Sequence, residues 1–356
     1  MKSKVFFIPV NNSDGSAVIR EKLERLLKKS RLLSFVKEKD KVVIKMHFGE
    51  EGNTGYIRPE YSRVAADLIK KMKASSAYID ANTLYQGRRN NSKDHLKLAY
   101  EHGFTLKTSG AKVLIPDDKV IRNVSEVEIN QKYIKIAKVL KVFLQYDSLL
   151  GLAHFKGHIM TGFGGALKNI GMGCASREGK LAQHSNISPF IKEKQCIACG
   201  RCIKVCPAQA ITLKNRKAII DPSKCIGCSS CIAACKQCAI EVDWESGGNV
   251  IQEKMIEYAK AILDSKKKKC GFVNFAIKIT KECDCLAKDD PRIAPDVGLF
   301  VSRDPVSVDK ACFDLVLKAA GRDIFKEAHP SRNGLKQLKY AQEIGIGNLD
   351  YELIVV

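Results

Sequence analysis

The sequence is short of the features that mark several protein classes. No apolar run approaches the ~20 residues that a membrane-spanning helix requires, and the apolar stretch at residues 5–8 is too short for the core of a secretory signal. Only one of the 356 residues is tryptophan, and we find none of the aromatic motifs on which single-stranded nucleic acids stack. We therefore expect a cytoplasmic protein with no membrane segment, and nucleic acid is a poorly supported partner.

Acidic residues are also scarce beside basic ones. Lysine and arginine number 60 against 39 aspartates and glutamates, so the formal net charge is +21. A basic surface favours acidic partners, such as an acidic redox protein, an anionic small molecule or nucleic acid. Because the lysines are spread over every segment, a generally lysine-rich proteome is an alternative explanation of the same charge.

Cysteine, by contrast, is abundant. The chain has 14 cysteines, and eight of them form two runs with one spacing. The first run reads Cys-x2-Cys-x2-Cys-x3-Cys-Pro from Cys196 to Pro207, and its cysteines repeat from Cys225 to Cys235. Three cysteines at this spacing let one tight loop supply three thiolates to a cubane cluster, while the fourth arrives from a distant position. The two runs therefore predict two [4Fe-4S] clusters.

The fourth cysteine of each run is expected to serve the other cluster. One predicted ligand set is Cys196, Cys199, Cys202 and Cys235, and the other is Cys225, Cys228, Cys231 and Cys206. Zinc is a poorer interpretation because it prefers separated Cys-x2-Cys knuckles or mixtures of cysteine and histidine. Disulfides are also a poorer interpretation, since they belong mainly to small secreted scaffolds.

Outside the cysteine runs, strand-like and helix-like stretches alternate, which predicts an α/β body with a mostly parallel sheet and helices on both faces. The predicted strands are 4–10, 41–46, 77–80, 113–115, 149–153, 271–277, 297–301 and 351–355; the longer predicted helices are 58–74, 92–102, 250–265, 307–320 and 334–344. The cysteine segment interrupts this alternation. We therefore predict that residues 1–185 and 246–356 form one body, and that residues 186–245 form an inserted α+β two-cluster ferredoxin-like domain. A flexible joint is predicted at residues 246–249.

Two predicted strand ends carry groups suited to an anion. His47 follows the strand 41–46, and His154, Lys156 and His158 follow the strand 149–153. Ligands collect at the carboxyl ends of parallel strands, and glycines at 164 and 165 would free backbone N–H groups at a helix start. The four side chains are predicted to hold an anionic small molecule, with histidine as a proton donor. A purely structural glycine turn is the alternative.

The remaining cysteines and histidines leave other questions open. Cys283 and Cys285 flank Asp284, and this group suggests either a third metal or cluster, or a thiol pair that is structural or redox-sensing. Cys312 is predicted to be a small core residue. The histidines expected on helical or loop surfaces, with no role, are His95, His102 and His329.

The cysteine segment resembles the bacterial two-cluster ferredoxin, with one departure, because Lys236 stands where that family usually has proline. The chain as a whole resembles the family of domain of unknown function 362, in the form that carries such a module. The matching stretches are residues 47–54, 154–158, 164–169, 283–285 and 302–309. The resemblance extends nearly from end to end and implies iron–sulfur binding and a shared α/β body. It implies no particular activity.

Two functions compete at this stage. In the first, the two clusters exchange electrons with a ligand or a redox partner protein that the body holds. In the second, the chain is a stand-alone reductase that acts on an anionic small molecule. A nucleic-acid-binding protein with structural clusters is a weaker third. The large body around the clusters favours a function in which the body holds a further ligand. Whether this ligand is a flavin or another molecule stays open.

Overall fold

The computed structural model describes residues 2–117, 121–184, 188–225, 227–242 and 250–356. The strands are β1 (Ser3–Pro9), β2 (Lys41–Lys45), β3 (Ser75–Ile79), β4 (Lys112–Leu114), β5 (Val124–Glu128), β6 (Ile136–Leu140), β7 (Ser148–His154), β8 (Lys156–His158), β9 (Gly162–Gly164), β10 (Phe190–Ile191), β11 (Ile211–Lys214), β12 (Lys217–Ile220), β13 (Ile240–Glu241), β14 (Cys270–Ala276), β15 (Gly298–Ser302) and β16 (Tyr351–Val355).

The helices alternate with these strands along most of the chain. They are α1 (Ser16–Lys29), α2 (Pro59–Lys71), α3 (Ser92–Glu101), α4 (Leu106–Ser109), α5 (Lys141–Gln145), α6 (Ala166–Gly171), α7 (Arg177–His184), α8 (Arg201–Lys204), α9 (Ser230–Ala234), α10 (Ile251–Ser265), α11 (Pro305–Ala320), α12 (Ile324–Ala328) and α13 (Leu335–Glu343). Short 3-10 turns occur at Leu32–Phe35 and Ile121–Asn123.

One eight-stranded sheet organises the body, in the order β16-β1-β15-β14-β7-β2-β3-β4. Every neighbouring pair in it is parallel except the two pairs that involve β15, which runs antiparallel to both β1 and β14. The predicted mixed α/β body with a mostly parallel sheet is thus confirmed. The predicted strands and long helices are all present, with bounds shifted by at most three residues.

The sheet is buried on both faces because its strands alternate apolar side chains between two cores. In β2, Val43 points into the core beneath α6, α10 and α11, while Val42 and Ile44 point into the core beneath α1 and α2. The strands β14 and β15 divide their side chains in the same way. The buried sheet therefore fixes where its strand ends lie, and these ends carry the candidate site.

Local signals explain where the helices begin and end. The carboxylate of Asp304 accepts hydrogen bonds from the backbone N–H groups of Val306 and Ser307, and Pro305 occupies the first turn of α11. Gly321 ends that helix with a φ of 70°, a conformation that glycine adopts without a side-chain penalty. These caps satisfy backbone groups that a helix end otherwise leaves unpaired.

The cysteine segment has small sheets of its own. The strand β10 pairs with β13, and β11 pairs with β12, both antiparallel. A third apolar cluster joins Cys202, Cys231 and Ile232 of this segment to Leu84 and Leu181 of the body. The predicted joint at 246–249 lies outside the described residues, as does the boundary at 185–186. Among the helices that the structure describes, none combines the length and the apolar character needed to span a bilayer.

Candidate functional site

A cavity of about 480 Å³ opens at the carboxyl ends of β2, β3 and β7. This volume lies within the range of small-molecule sites. The four predicted site residues, His47, His154, Lys156 and His158, all line it. The further charged or histidine side chains in its wall are Lys45, Asp80, Arg89, Lys168, Lys180, His184 and Asp284, and apolar walls include Leu84, Leu152, Met172 and Leu286.

Asp284 joins two of the predicted site residues. Its carboxylate lies 2.9 Å from His154 Nδ1 and 3.0 Å from Lys156 Nζ, and all three side chains are buried. Although burial opposes ionisation, His154 and Lys156 hold the pKa of Asp284 well below its usual range. Burial likewise opposes the charge on Lys156, yet Asp284 and Cys283 raise the pKa of this ammonium. The group is therefore a fixed ion-pair network, whose buried charges stabilise one another.

A second buried network lies across the cavity. Lys45 Nζ contacts Asp80 Oδ1 at 2.9 Å and also donates to Asn169 Oδ1 at 3.0 Å. Arg89 lies 3.8 Å from Asp80, and its Nε donates to Glu50 at 3.1 Å. Despite burial, these cations lower the pKa of Asp80. Neither Asp80 nor Arg89 was predicted as a site residue, because neither belongs to a recognisable motif.

Two of the three histidines predicted to lie on the surface, His95 and His329, are buried. His95 is fully buried on the inner face of α3, with Nε2 at 3.7 Å from Asp80, so the surface prediction for His95 is wrong. His329 is also buried, and its Nε2 lies 3.1 Å from the carbonyl of Lys281. A helical pattern shows which residues share a face. It does not show whether a polar side chain on that face has a buried ionic partner elsewhere in the chain, so the burial of these histidines could not be predicted.

His47 and His158 both line the cavity and use the same ring nitrogen, Nδ1, as an acceptor. The Nδ1 atom of His47 accepts the N–H of Gly49 at 2.9 Å, and His158 Nδ1 accepts the N–H groups of Met160 and Thr161 at 3.1 and 3.2 Å. Burial lowers the pKa of both rings well below the usual value, which leaves them neutral. A neutral ring whose Nδ1 accepts carries its proton on Nε2. Both histidines therefore offer an Nε2–H donor.

Cys283 and Cys285 belong to this cavity. Their Sγ atoms and one ring nitrogen of His158 all lie within 4.8 Å of one another, and Lys168 Nζ lies 3.6 Å from Cys283 Sγ. A hydrogen bond from Cys285 lowers the pKa of the Cys283 thiol and raises that of Cys285, and Lys168 reinforces the effect on Cys283. The ammonium of Lys168 beside Cys283 thus favours a thiolate at Cys283 over one at Cys285.

The glycines before α6 were expected to leave backbone N–H groups free for an anionic ligand. The structure shows that these N–H groups already have a partner. The carboxylate of Asp309 accepts hydrogen bonds from Ala166 N at 2.7 Å and Leu167 N at 3.0 Å. Asn274 Nδ2 donates to the same carboxylate at 2.6 Å. The anion at this helix start is a side chain of the protein itself, so Gly164 and Gly165 shape the wall rather than bind a ligand there.

The eight cysteines of the two runs separate into the two predicted sets. Cys196, Cys199, Cys202 and Cys235 line one small cavity, and Cys206, Cys225, Cys228 and Cys231 line another. Backbone N–H groups point at three of the sulfurs: Ala218 N at Cys196 Sγ, Ala210 N at Cys206 Sγ and Ala239 N at Cys235 Sγ, at 3.3 to 3.4 Å. Such donors stabilise thiolates.

The two runs share one backbone course as well as one spacing. Equivalent positions have positive φ in both: Ala198 and Gly227, Gly200 and Ser229, Gln209 and Cys238. Left-handed residues between ligands let a short loop curl around a central point. Cys238 occupies the place of Gln209 and lines neither cavity.

A loop after β3 connects the cysteine segment to the large cavity. Leu84 packs with Cys202 and Cys231 and also lines the cavity. The Gln86 Nε2 atom donates to the carbonyls of Ile232 and Cys235 at 2.9 and 3.2 Å. Between them, the Tyr85 hydroxyl donates to the carbonyl of Cys285 at 2.8 Å. The three consecutive residues Leu84, Tyr85 and Gln86 together thus connect the cysteine segment with the wall of the large cavity. They belong to no recognisable sequence motif.

Comparisons with known proteins place the chain in a family without fixing its chemistry. No curated protein is significantly similar to it. The apoprotein of lactate racemase from Thermoanaerobacterium thermosaccharolyticum is similar in structure with 14% identity and a TM-score of 0.39, over 78% of this chain and 51% of that one. A crystal structure of a Thermotoga maritima protein shares 12% identity and a TM-score of 0.43, over 88% and 60%. The chain thus spans between half and two thirds of the length of these structures.

The family comparison covers most of the chain. Residues 42–314 match the family described as "Domain of unknown function (DUF362)". This range includes the cavity residues of β2, β3 and β7, the cysteine runs, and Cys283 and Cys285. The chain therefore belongs to the family of domain of unknown function 362.

Proposed function

We propose that this protein is an iron–sulfur electron-transfer protein. Its two [4Fe-4S] clusters would exchange electrons with a ligand or partner held by the α/β body. The observation that carries the proposal is the division of eight cysteines into two sets of four, each lining its own cavity. Four thiolates around one point are the ligands that a cubane cluster requires.

The surroundings of the cysteines fit such clusters. Backbone N–H donors at the sulfurs of Cys196, Cys206 and Cys235 would offset the negative charge of a thiolate-bound cluster. Apolar side chains, Ile211, Ile232 and Ile240 among them, exclude water from the same region. Each cluster, when bound, supplies the capacity to take up and release one electron. The cysteine segment would hold both clusters against the body through its contacts with Leu84 and Gln86.

Iron and sulfide analysis of anaerobically purified protein tests this proposal. The wild-type chain should contain about eight irons and eight sulfides, the content of two cubanes. Cys235→Ala should lose about half of the iron and the signal of the cluster at Cys196, Cys199 and Cys202, because the fourth ligand crosses between runs. Cys238→Ala is the matched control and should keep the full iron content. Stoichiometric zinc, or a Cys235→Ala protein with intact clusters, would contradict the proposal.

A second candidate, a reductase that acts on an anionic small molecule, is favoured by the charge of the large cavity. Five cationic side chains line it, Lys45, Arg89, Lys156, Lys168 and Lys180, against the two carboxylates of Asp80 and Asp284. The Nε2–H groups of His47 and His158 add neutral donors. An anion is therefore the ligand that the cavity would attract. The proposal also includes an acidic redox partner, which the basic chain would attract, and a cytoplasmic location, which would keep its thiols reduced.

Mass spectrometry of the supernatant from denatured, freshly purified protein tests the second candidate. A stoichiometric organic anion should be released from the wild type and from Lys97→Ala, a control in which an exposed lysine is removed. Lys156→Ala and His47→Ala should retain much less of it, while their iron content stays unchanged. If no variant or wild-type sample releases such a compound, the electron-transfer proposal stands alone.

A further inference from the structure

The thiol pair in the wall of the large cavity has the features of a redox centre. Cys283 and Cys285 place their sulfurs within 4.8 Å of each other. The ammonium of Lys168 lies 3.6 Å from Cys283 Sγ, and His158 brings a ring nitrogen to both sulfurs. A thiolate next to a cation, with a second thiol in reach, is the arrangement that favours thiol–disulfide chemistry.

We propose that Cys283 and Cys285 form a redox-active dithiol that receives the electrons of the two clusters and passes them, as a pair, to the ligand of the cavity. This inference rests on the proposed function for the source of its electrons. It deepens that function by naming the first acceptor, and it gives a reason for two clusters. Each cluster releases a single electron, whereas the reduction of one disulfide takes two.

The contacts of His158 favour a dithiol over a metal centre. Two sulfurs and a ring nitrogen can hold a metal such as zinc in an open, three-ligand site. A histidine that ligates through Nε2, however, usually donates its Nδ1–H to an acceptor. The Nδ1 atom of His158 instead accepts the N–H groups of Met160 and Thr161. Its Nε2 therefore carries a proton, which suits a hydrogen bond to a thiolate and not a bond to a metal.

The loop after β3 gives the electrons a route between the cysteine segment and the thiol pair. The carbonyl of Cys235, a predicted cluster ligand, accepts from Gln86 at 3.2 Å, and the carbonyl of Cys285 accepts from Tyr85 at 2.8 Å. Gln86 and Tyr85 are covalent neighbours. The side chains of Gln86 and Tyr85, each with one hydrogen bond to a cysteine carbonyl, and the backbone between them thus connect a predicted cluster ligand to one of the two cysteines of the pair.

The reaction balances when two electrons and one proton are supplied to the pair of cysteines. In the oxidised state a bond joins the sulfurs of Cys283 and Cys285. Two electrons, which the two clusters would supply one each when bound, break the sulfur–sulfur bond, and one proton from solvent protonates Cys285. The product is a thiolate at Cys283 beside Lys168 and a thiol at Cys285. The reverse reaction would deliver two electrons to a two-electron acceptor bound in the cavity.

An anaerobic electron count tests the dithiol directly. Protein oxidised in a glutathione redox buffer and then freed of glutathione is titrated with dithionite. The wild type should take up about four electrons, two for the clusters and two for the disulfide. Cys283→Ser and Cys285→Ser should each take up about two, with unchanged iron content. Cys270→Ser, which alters another buried cysteine of the body, should behave as the wild type.

A second measurement stands independently of the clusters. Acid quenching, alkylation under denaturing conditions and peptide mass spectrometry report whether residues 283 and 285 are joined at each glutathione ratio. A disulfide that appears and disappears with the ratio supports the pair, even in protein whose clusters are absent, so failure of the proposed function is seen separately in the iron content. Two cysteines that remain alkylated at every ratio would overturn the inference. So would one equivalent of tightly bound metal that Cys283→Ser and Cys285→Ser lose.

Lys168 provides a graded test. Lys168→Met should move the pH at which Cys283 becomes reactive towards iodoacetamide upward in the reduced protein, because the thiolate loses its cation. The Lys168→Arg variant keeps a cation at this position and should retain most of the wild-type pH profile. An unchanged profile in Lys168→Met would show that the contact at 3.6 Å does not stabilise the thiolate, and would remove this support for the dithiol.

Discussion

The side-chain amide of Gln86 donates to the backbone carbonyl of Cys235 at 3.2 Å, and the same nitrogen also contacts the carbonyls of Ile232 and Ala233. Gln86 therefore closes the end of α9 from outside the cysteine segment. Carbonyls at a helix end lack partners within the helix. This single side chain satisfies several of them and holds the segment against the body.

Gln86→Ala should loosen the segment from the body. The loss of these hydrogen bonds should cost about 1 kcal/mol locally, which is enough to accelerate proteolysis within residues 190–240 several-fold. Limited proteolysis of the anaerobic protein measures the effect. The control is Gln131→Ala, because the Gln131 amide donates to the carbonyl of Ile129 in a hairpin remote from the segment. Equal cleavage in both variants would contradict this role of Gln86.

Asp80→Asn should destabilise the body strongly. The Asp80 carboxylate is buried against Lys45, Arg89 and His95, and removing one partner of a buried ion pair typically costs about 3–5 kcal/mol. Urea unfolding followed by circular dichroism measures the free energy of unfolding. The control is Asp67→Asn in the exposed pair with Arg63, where a change below about 1 kcal/mol is expected. Similar losses in the two variants would mean that the network adds little.

Gly157→Ala should disturb the cavity more than the fold. An added Cβ would collide with the backbone carbonyl of Lys281, which accepts from His329. Overpacking of this kind typically costs about 1–3 kcal/mol, and it would separate His158 from Cys283. We expect reduced dithiol oxidation in the glutathione assay. Gly15→Ala, where a Cβ meets no atom within 4 Å, should lose less than about 1 kcal/mol and keep the wild-type assay result.

The pH dependence of stability should carry the signature of Asp309. Burial raises the pKa of this carboxyl to about 6, although the N–H of Leu167 and the Asn274 amide oppose the shift. A carboxyl whose pKa is higher in the folded than in the unfolded state stabilises the fold most when protonated, so this contribution is complete below about pH 4 and lost as the pH rises through 6. The shift corresponds to a contribution on the order of 3 kcal/mol.

Urea unfolding between pH 4 and pH 7 measures this contribution against the Asp309→Asn variant. The variant lacks the ionising group, so its stability should change less over this range than that of the wild type. The variant should also be less stable overall, because an amide nitrogen would face one of the N–H groups of Ala166 and Leu167. Parallel pH profiles would contradict the assignment to Asp309.

The sequence predicted those features that depend on local pattern. The strands emerge because buried parallel strands read as apolar runs, and β16 was predicted with its observed bounds, Tyr351–Val355. The two cysteine sets were inferred from spacing, and their role as cluster ligands stays a prediction. The contact between Asp284 and His154 could not be predicted from the sequence, because the two residues lie 130 positions apart. Only the pairing of β7 with β14 brings them together.

Other parts of the site give no local signal at all. Tyr85 and Gln86 lie in a loop whose residues follow no period, and their roles depend on carbonyls of Cys285 and Cys235 that any residue type would offer. Asp309 lies on a helix face that reads as core, and its partnership with α6 spans more than 140 residues. Long-range polar pairs of this kind depend on the assembled fold.

The pairing of β10 with β13 has a consequence for how this chain can be taken apart. Ile191 lies opposite Ile240, so the described part of the cysteine segment begins and ends with two strands that pair with each other. Antiparallel partners are about 5 Å apart, a gap that a two-residue turn closes. We therefore expect that residues 192–239 can be exchanged for such a turn with little strain on the pairing of β10 with β13. Such an exchange would remove all eight cysteines of the two runs in one step, so the large cavity could be studied without the proposed cluster ligands.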